Sequence, residues 1–363
     1  MTDANKTALH IQPGCAVPEP AARRRREAKQ RQDISPARLI EGIRTGDRSV
    51  LAKAITLVES SRPEDRKIAE LIIENCQSAN VNSIRVGITG APGAGKSTLI
   101  EALGKYLIKE RRENVAVLAI DPSSQLSGGS ILGDKTRMTF LSSSEMAFVR
   151  PTPSRGVHGG VARHTRDAIL LCEAAGFRNI LIETVGVGQS EAAVRDMVDF
   201  FLLVTMPGAG DELQGIKRGV MEIVDLVAVN KADGDRLQAA ELARTEAENA
   251  LHFMPVPASG WKPRVLACSA QTGHGVADLW LCVLNYVELT GANGSFQEER
   301  CKQARHSMHE ILEQELTDWL RADPVLQERI SVLEQEVAAG RVTASCAVRE
   351  LIVLFAKRAS ELT

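Results

Sequence analysis

No apolar run in the chain approaches the roughly 20 residues that a membrane-spanning helix needs. The longest, at 200–206, has the length of a strand. The N-terminus lacks the apolar core of a signal peptide, so secretion is not expected and the chain reads as cytoplasmic, with no membrane partner. Metal-binding patterns are missing too. The seven cysteines stand at 15, 76, 172, 268, 282, 301 and 346, and none forms a C-x-x-C pair. An odd, scattered set reads as reduced thiols. Seven histidines form no tract, which removes support for a zinc or nickel store. Charge of one sign is also lacking. The net charge of −2 gives no global attraction for nucleic acid, and no nucleic-acid partner is expected.

The 363 residues suffice for one α/β domain with helical additions. Residues 1–33, with the run Arg23–Arg26 and no apolar period, read as a mobile basic leader. Residues 34–80 carry three amphipathic stripes, the first opening at Ser35-Pro36, and read as an N-terminal helical arm. The pattern then changes. Short apolar runs at 84–88, 115–120, 180–182, 200–206, 226–229 and 265–267 alternate with helical stretches such as 97–109 and 160–175. Such Val- and Ile-rich runs suit parallel strands buried on both faces. The expected fold is α/β, a doubly wound and mostly parallel sheet over 81–290. A linker at 291–295 and three further amphipathic helices in 296–363 follow. Their stripes need a surface, on the α/β domain or on another subunit.

The chemistry begins after the first strand. Gly90, Ala91, Pro92, Gly93, Ala94, Gly95, Lys96 and Ser97 match G-x-x-x-x-G-K-[ST] in full, and Thr98 continues into a helix. Glycines let main-chain N–H groups turn towards phosphate oxygens, and the helix N-terminus adds its positive end. In this reading Lys96 reaches the β- and γ-phosphates and the Ser97 hydroxyl holds Mg²⁺. After the strand at 226–229 come Asn230, Lys231 and Asp233. The Asp233 carboxylate can accept from guanine N1–H and its exocyclic amine, which adenine does not offer. Charged hydrogen bonds contribute roughly 1.5–3 kcal/mol each, so two discriminate by about a hundredfold or more. The Lys231 stem can lie on the base, and Asn230 can brace the loops. Ser269, Ala270 and Gln271 follow the next strand, where main-chain N–H groups can reach guanine O6.

Two strands end in carboxylates on the same edge, Asp121 and Glu183, where a doubly wound sheet binds its ligand. Both can hold Mg²⁺ directly or through its waters. Gly186 N–H is placed to sense a γ-phosphate, and Gln189 is a candidate for orienting water. Two long glycine-rich segments, 128–138 and 150–160, read as functional loops, with Asp134 a candidate Mg²⁺ ligand. His158 and His164 read as loop and helix-surface residues.

These segments together resemble one family. Asp121-Pro-Ser-Ser, the run 128–138, Glu-Thr-Val-Gly-Val-Gly-Gln-Ser-Glu at 183–191 and Pro-Gly-Ala-Gly-Asp-Glu-Leu-Gln-Gly-Ile-Lys at 207–217 look like the methylmalonyl-CoA mutase-associated GTPases of the MeaB/ArgK type. This is a branch of the metallochaperone-like P-loop GTPases. The likeness covers about 35–360. His158 departs from it, standing where an apolar residue is expected, and the basic leader is longer than usual. The resemblance implies a GTP/GDP-binding, Mg²⁺-dependent GTPase acting as chaperone to a cobalamin-dependent acyl-CoA mutase. It would gate adenosylcobalamin loading and removal of damaged cofactor. It also implies a homodimer built through the C-terminal helices. By position, Asp121, Asp134 and Glu183 take Mg²⁺ and switch roles. Residues 211–217 look like a further switch, with Lys217 joining the nucleotide region. Three rivals remain in view: a GTPase serving another metalloenzyme, such as one that inserts nickel, a scaffold that holds GTP without hydrolysis, and a signal-recognition-type GTPase. The nickel GTPase wants a Cys/His relay and the signal-recognition type a methionine-rich helical domain, and the sequence carries neither.

Overall fold

The computed structural model describes residues 35–60, 62–77, 82–121, 138–153, 158–184, 190–208, 218–255 and 257–362. Asp134, Gly186, Gln189 and Lys217 lie outside them, as does the leader. Seven parallel strands form one sheet in the order β3-β2-β4-β1-β5-β6-β7. They are β1 (Ile84–Gly90), β2 (Val115–Asp121), β3 (Ala147–Pro153), β4 (Asn179–Glu183), β5 (Phe200–Thr205), β6 (Leu226–Val229) and β7 (Arg264–Ala267). Strand order reverses beside β1, where β4 lies on one side and β5 on the other. That reversal opens a crevice at the C-terminal edge.

Side chains alternate between two apolar cores. Phe201 and Leu203 of β5 enter one; Phe200, Leu202 and Val204 enter the other. The first core is closed by α1 (Pro36–Arg44), α2 (Arg48–Val58), α3 (Pro63–Cys76), α6 (His158–Ala174), α7 (Ser190–Arg195), α8 (Arg218–Met221) and α9 (Leu237–His252). The second is closed by α4 (Lys96–Lys109), α5 (Thr139–Ser143) and α10 (Val276–Ala292). Such two-sided burial explains why six strands were readable as continuous apolar runs.

β3 was not readable so. Residues 150–153 look like loop because Pro151 and Pro153 interrupt the run, yet they close the strand. Val115 N–H donates to Met146 O at 3.0 Å. Even-numbered residues of β3 therefore face β2, and both prolines turn their nitrogens to the outer edge, where no ladder hydrogen is needed. The segment from 158 likewise begins a helix rather than continuing a loop.

The first three helices start as their residues predict. Pro36 and Pro63 occupy first-turn positions. Asp47 caps α2 by accepting from Ser49 N (2.8 Å) and Val50 N (3.2 Å). They pack on α6, and Arg48 ties α2 to Ser144 O and Ala147 O at 2.7 and 2.9 Å. The expected linker at 291–295 is narrower in the structure. α10 runs to Ala292, Gly294 takes φ 81°, and α11 (Ser295–Ala322) begins at once. Asp323 then caps α12 (Pro324–Ala338) through Val325 N and Leu326 N, and α13 (Ala344–Leu362) closes the described chain. No helix among the described residues is long and apolar enough to cross a membrane.

Asp167 of α6 lines a cavity bounded by α2, α3 and α11. Burial pushes its carboxyl up to about 6, against the pull of Arg163 and Arg166. A raised carboxyl value means that the folded chain holds this proton more tightly than the unfolded chain. Ionisation therefore costs stability as pH rises from about 4 to about 6, and the full cost stands above that range. Asp167→Asn should raise folding stability by about 1–3 kcal/mol at about pH 7.5, with the gain shrinking towards about pH 4. Urea titration at both values checks it; a gain that does not depend on pH would contradict the assignment.

Candidate functional site

The loop between β1 and α4 is built around two glycines. Gly90 has φ 147°, and a Cβ there would lie 2.0 Å from Val204 O of β5. Gly95 has φ 93° and precedes α4; a Cβ there would lie 2.5 Å from Asn230 Nδ2. Any side chain would collide with a fixed polar group at both positions. Lys96 and Ser97 open α4, and both are buried. The Lys96 ammonium donates to Gly90 O at 2.7 Å and Ala91 O at 3.2 Å. Burial lowers the Lys96 pKa below that of an ordinary lysine, while the Glu183 and Glu191 carboxylates pull it back up.

Glu183 ends β4, in register with Ile88 of β1 and with Ala119 of β2. Ser97 Oγ donates to Glu183 Oε1 at 2.8 Å, and both groups are buried. The next residue continues the lock, because Thr184 N donates to Ile88 O and Thr184 Oγ1 to Thr89 Oγ1, each at 2.9 Å. A hydroxyl and a carboxylate side by side at the foot of a phosphate loop form the hard-oxygen set that Mg²⁺ takes. Asp121 ends β2 on the same edge. Among the described residues no group of three or more His, Cys, Asp or Glu side chains could hold a metal ion.

The base-reading segments meet at the ends of β6 and β7. Asn230 N donates to Thr205 O at 2.8 Å. Its side-chain Nδ2 donates to Ala94 O at 2.9 Å, and its Oδ1 accepts from Ala270 N at 3.0 Å. One amide thus joins the phosphate loop to both segments expected at the base. Lys231 has φ 62°, a left-handed turn unusual for a side-chain residue, and its ammonium contacts Met206 Sδ at 3.3 Å. Ser269 Oγ donates to Asp233 Oδ2 and accepts from Thr272 N, which orients the carboxylate. Ser269 N–H donates to His274 O, so this amide and that of Ala270 already have partners.

The structure brings Gly90 through Ser97, Glu183, Asn230, Lys231, Asp233, Ser269, Ala270 and Gln271 to one edge of the sheet. Asn230, read in sequence as a brace between loops, does this through its side chain, which donates to Ala94 O; the pull of the Glu191 carboxylate on Lys96 was not visible in sequence. Glu101 was also missed: its carboxylate accepts from Phe140 N (2.6 Å) and Leu141 N (3.2 Å), capping α5 from the phosphate-loop helix. No local signal marks such long-range pairs.

A complete G-x-x-x-x-G-K-S loop, a buried lysine, a hydroxyl–carboxylate pair and an Asn-Lys-x-Asp turn on one crevice of a doubly wound sheet define the class: this is a P-loop GTPase. Comparison with known proteins narrows it further. Residues 51–325 match the family model of the methylmalonyl Co-A mutase-associated GTPase MeaB, and the chain belongs to that family. GTPase ArgK of Escherichia coli K12 is 44% identical over 293 residues, covering 80% of this chain and 88% of its own. The mitochondrial methylmalonic aciduria type A homolog of Mus musculus is 41% identical over 331 residues, covering 88% of this chain and 80% of its own. The crystal structure of LAO/AO transport system kinase superposes with TM-score 0.70 at 35% identity, over 88% of this chain and 97% of that one.

Asn230→Ala should weaken GTP binding by about tenfold or more, since a buried acceptor and donor lose their partner together. Asp233→Asn should instead erode the preference for GTP over ATP with little change in ATP affinity. Competition binding of both nucleotides separates the two; selectivity unchanged in the second variant would refute the base assignment. Lys96→Ala should abolish measurable hydrolysis.

Proposed function

We propose that this GTPase is a chaperone for a cobalamin-dependent acyl-CoA mutase of the methylmalonyl-CoA mutase type. It uses GTP to gate adenosylcobalamin loading and to protect or reactivate that enzyme. The observation that carries the reading is family membership combined with a nucleotide site held in one frame by Asn230.

Glycine-loop amides and Lys96 bind the β- and γ-phosphates, and Asp233 holds the guanine edge while the Lys231 stem covers it. Ser97 and Glu183, whose side-chain oxygens lie 2.8 Å apart, would hold Mg²⁺, with Asp121 and Asp134 as further candidate ligands. Bound Mg²⁺ would offset the negative charge of the phosphates. Neither Lys96 nor Glu183 suits a general base, since one is a cation and the other already accepts from Ser97 Oγ. Positioning and charge therefore do most of the work, and unassisted hydrolysis is slow. Gly186 is the candidate for sensing the γ-phosphate, and Lys217 for joining the site in response to the mutase.

The C-terminal helices support a homodimer. Met308, Leu312 and Leu316 of α11 and Val348, Ile352 and Val353 of α13 are exposed in the single chain. Apolar stripes of this kind seek a second surface. We place the protein in the cytoplasm.

GTP turnover measured with and without purified methylmalonyl-CoA mutase tests the reading. Stimulation of about tenfold or more is expected; equal rates would reject the chaperone role. Titration of the ligand-free protein with nickel distinguishes a GTPase that inserts that metal.

A further inference from the structure

α7 has only six residues, but its two ends meet different parts of the molecule. The far end is anchored. Arg195 pairs with Asp225 at 3.1 Å, and its Nη1 donates to Asp199 O at 3.4 Å. Asp199 in turn accepts both Nε and Nη2 of Arg300 on α11, each at 2.7 Å. In the middle, Val194 packs on β1: a Cβ added to Gly87 would lie 3.1 Å from Val194 Cγ1.

Glu191 stands three residues before Val194. It therefore shares that inward face and lies about 4.5 Å nearer the C-terminal edge of the sheet. A strand rises about 3.3 Å per residue, so this level corresponds to the last residues of β1 before Gly90. Gly90 O is the acceptor of the Lys96 ammonium. Only 9% of Glu191 is exposed. Among the described residues it makes no hydrogen bond or ion pair. Lys96 feels its carboxylate together with that of Glu183.

The phosphate loop thus sees two buried carboxylates and one buried ammonium. Glu183 has a use for its charge beside Ser97. Glu191 has no such hydroxyl partner among the described residues. We propose that Glu191 is an affinity-setting residue, whose buried negative charge opposes the nucleotide phosphates and keeps guanine-nucleotide binding weak enough for product to leave. Two effects add. The carboxylate repels phosphate oxygens through a medium that screens poorly, and it competes with them for Lys96. α7 supplies the rigidity, because Arg195 and Val194 hold the carboxylate where the phosphates bring their charge.

The proposal rests on nucleotide binding at the glycine loop. Calorimetric titration of the full chain with GDP and Mg²⁺ tests it, using wild type, Glu191→Gln, Glu191→Ala and Glu191→Asp. Both neutral variants should bind GDP about tenfold more tightly, and stopped-flow release should slow in proportion. Glu191→Asp keeps the charge and should stay within about threefold of wild type. Damage to the fold lowers affinity, so a gain in both neutral variants cannot come from disruption. Thermal melts identify any variant that fails to fold, and the other neutral variant then decides. Equal or weaker GDP binding in the folded neutral variants would overturn the role of Glu191. Wild type that takes up no GDP would instead overturn nucleotide binding at this loop.

Discussion

The site depends on the side-chain amide of Asn230. Three chain segments that are distant in sequence, the phosphate loop, the end of β6 and the turn after β7, share its donor and acceptor. An amide suits the task because it carries both polarities on one rigid plane. A carboxylate could not donate to Ala94 O, and a lysine could not accept from Ala270 N. Gly95 belongs to the same arrangement, for only a residue without Cβ lets the amide approach so closely. The spacing between the glycine loop and the ends of β6 and β7 is thereby fixed, which is the preorganisation that positioning-based catalysis needs.

Much of this was legible in the residues because the chemistry is local. A glycine loop followed by Lys96 and Ser97, an acid at the end of β4 and Asn-Lys-x-Asp after β6 each announce themselves within a few positions. Six strands were visible for a similar reason, since burial on both faces leaves an unbroken apolar run. What could not be read was relational. β3 hid behind two prolines whose harmlessness depends on which way the edge faces. Glu101 looks like an ordinary helix acid until the fold sets it beside α5. The amides of Ser269 and Ala270 were available to the base in sequence, but the structure engages them with His274 O and Asn230 Oδ1.

A second buried network sits at the opposite edge of the sheet. Asp199, with 1% of its side chain exposed, accepts from Arg85 N at 2.8 Å as well as from Arg300. Arg85 is held by Glu173 of α6, and Gln303 of α11 donates to Val198 O at 2.7 Å. Buried ion pairs add little net stability, but losing one partner is costly because a charge is left stranded. Their value here is geometric. α11 is joined to the residues directly after α7 and, through Arg163 and Arg166, to α6. The C-terminal helices are thus coupled to the two helices that follow β3 and β4, the strands ending on the nucleotide side.

The prolines of β3 have a consequence beyond concealment. A parallel sheet left open at its side offers a row of hydrogen-bonding groups on which a stray strand can grow, and half-folded chains meet one another there. Along this border, two of the outward positions carry no hydrogen to give. Growth of a foreign ladder is starved at its first steps, so this border of the sheet is a poor template for aggregation.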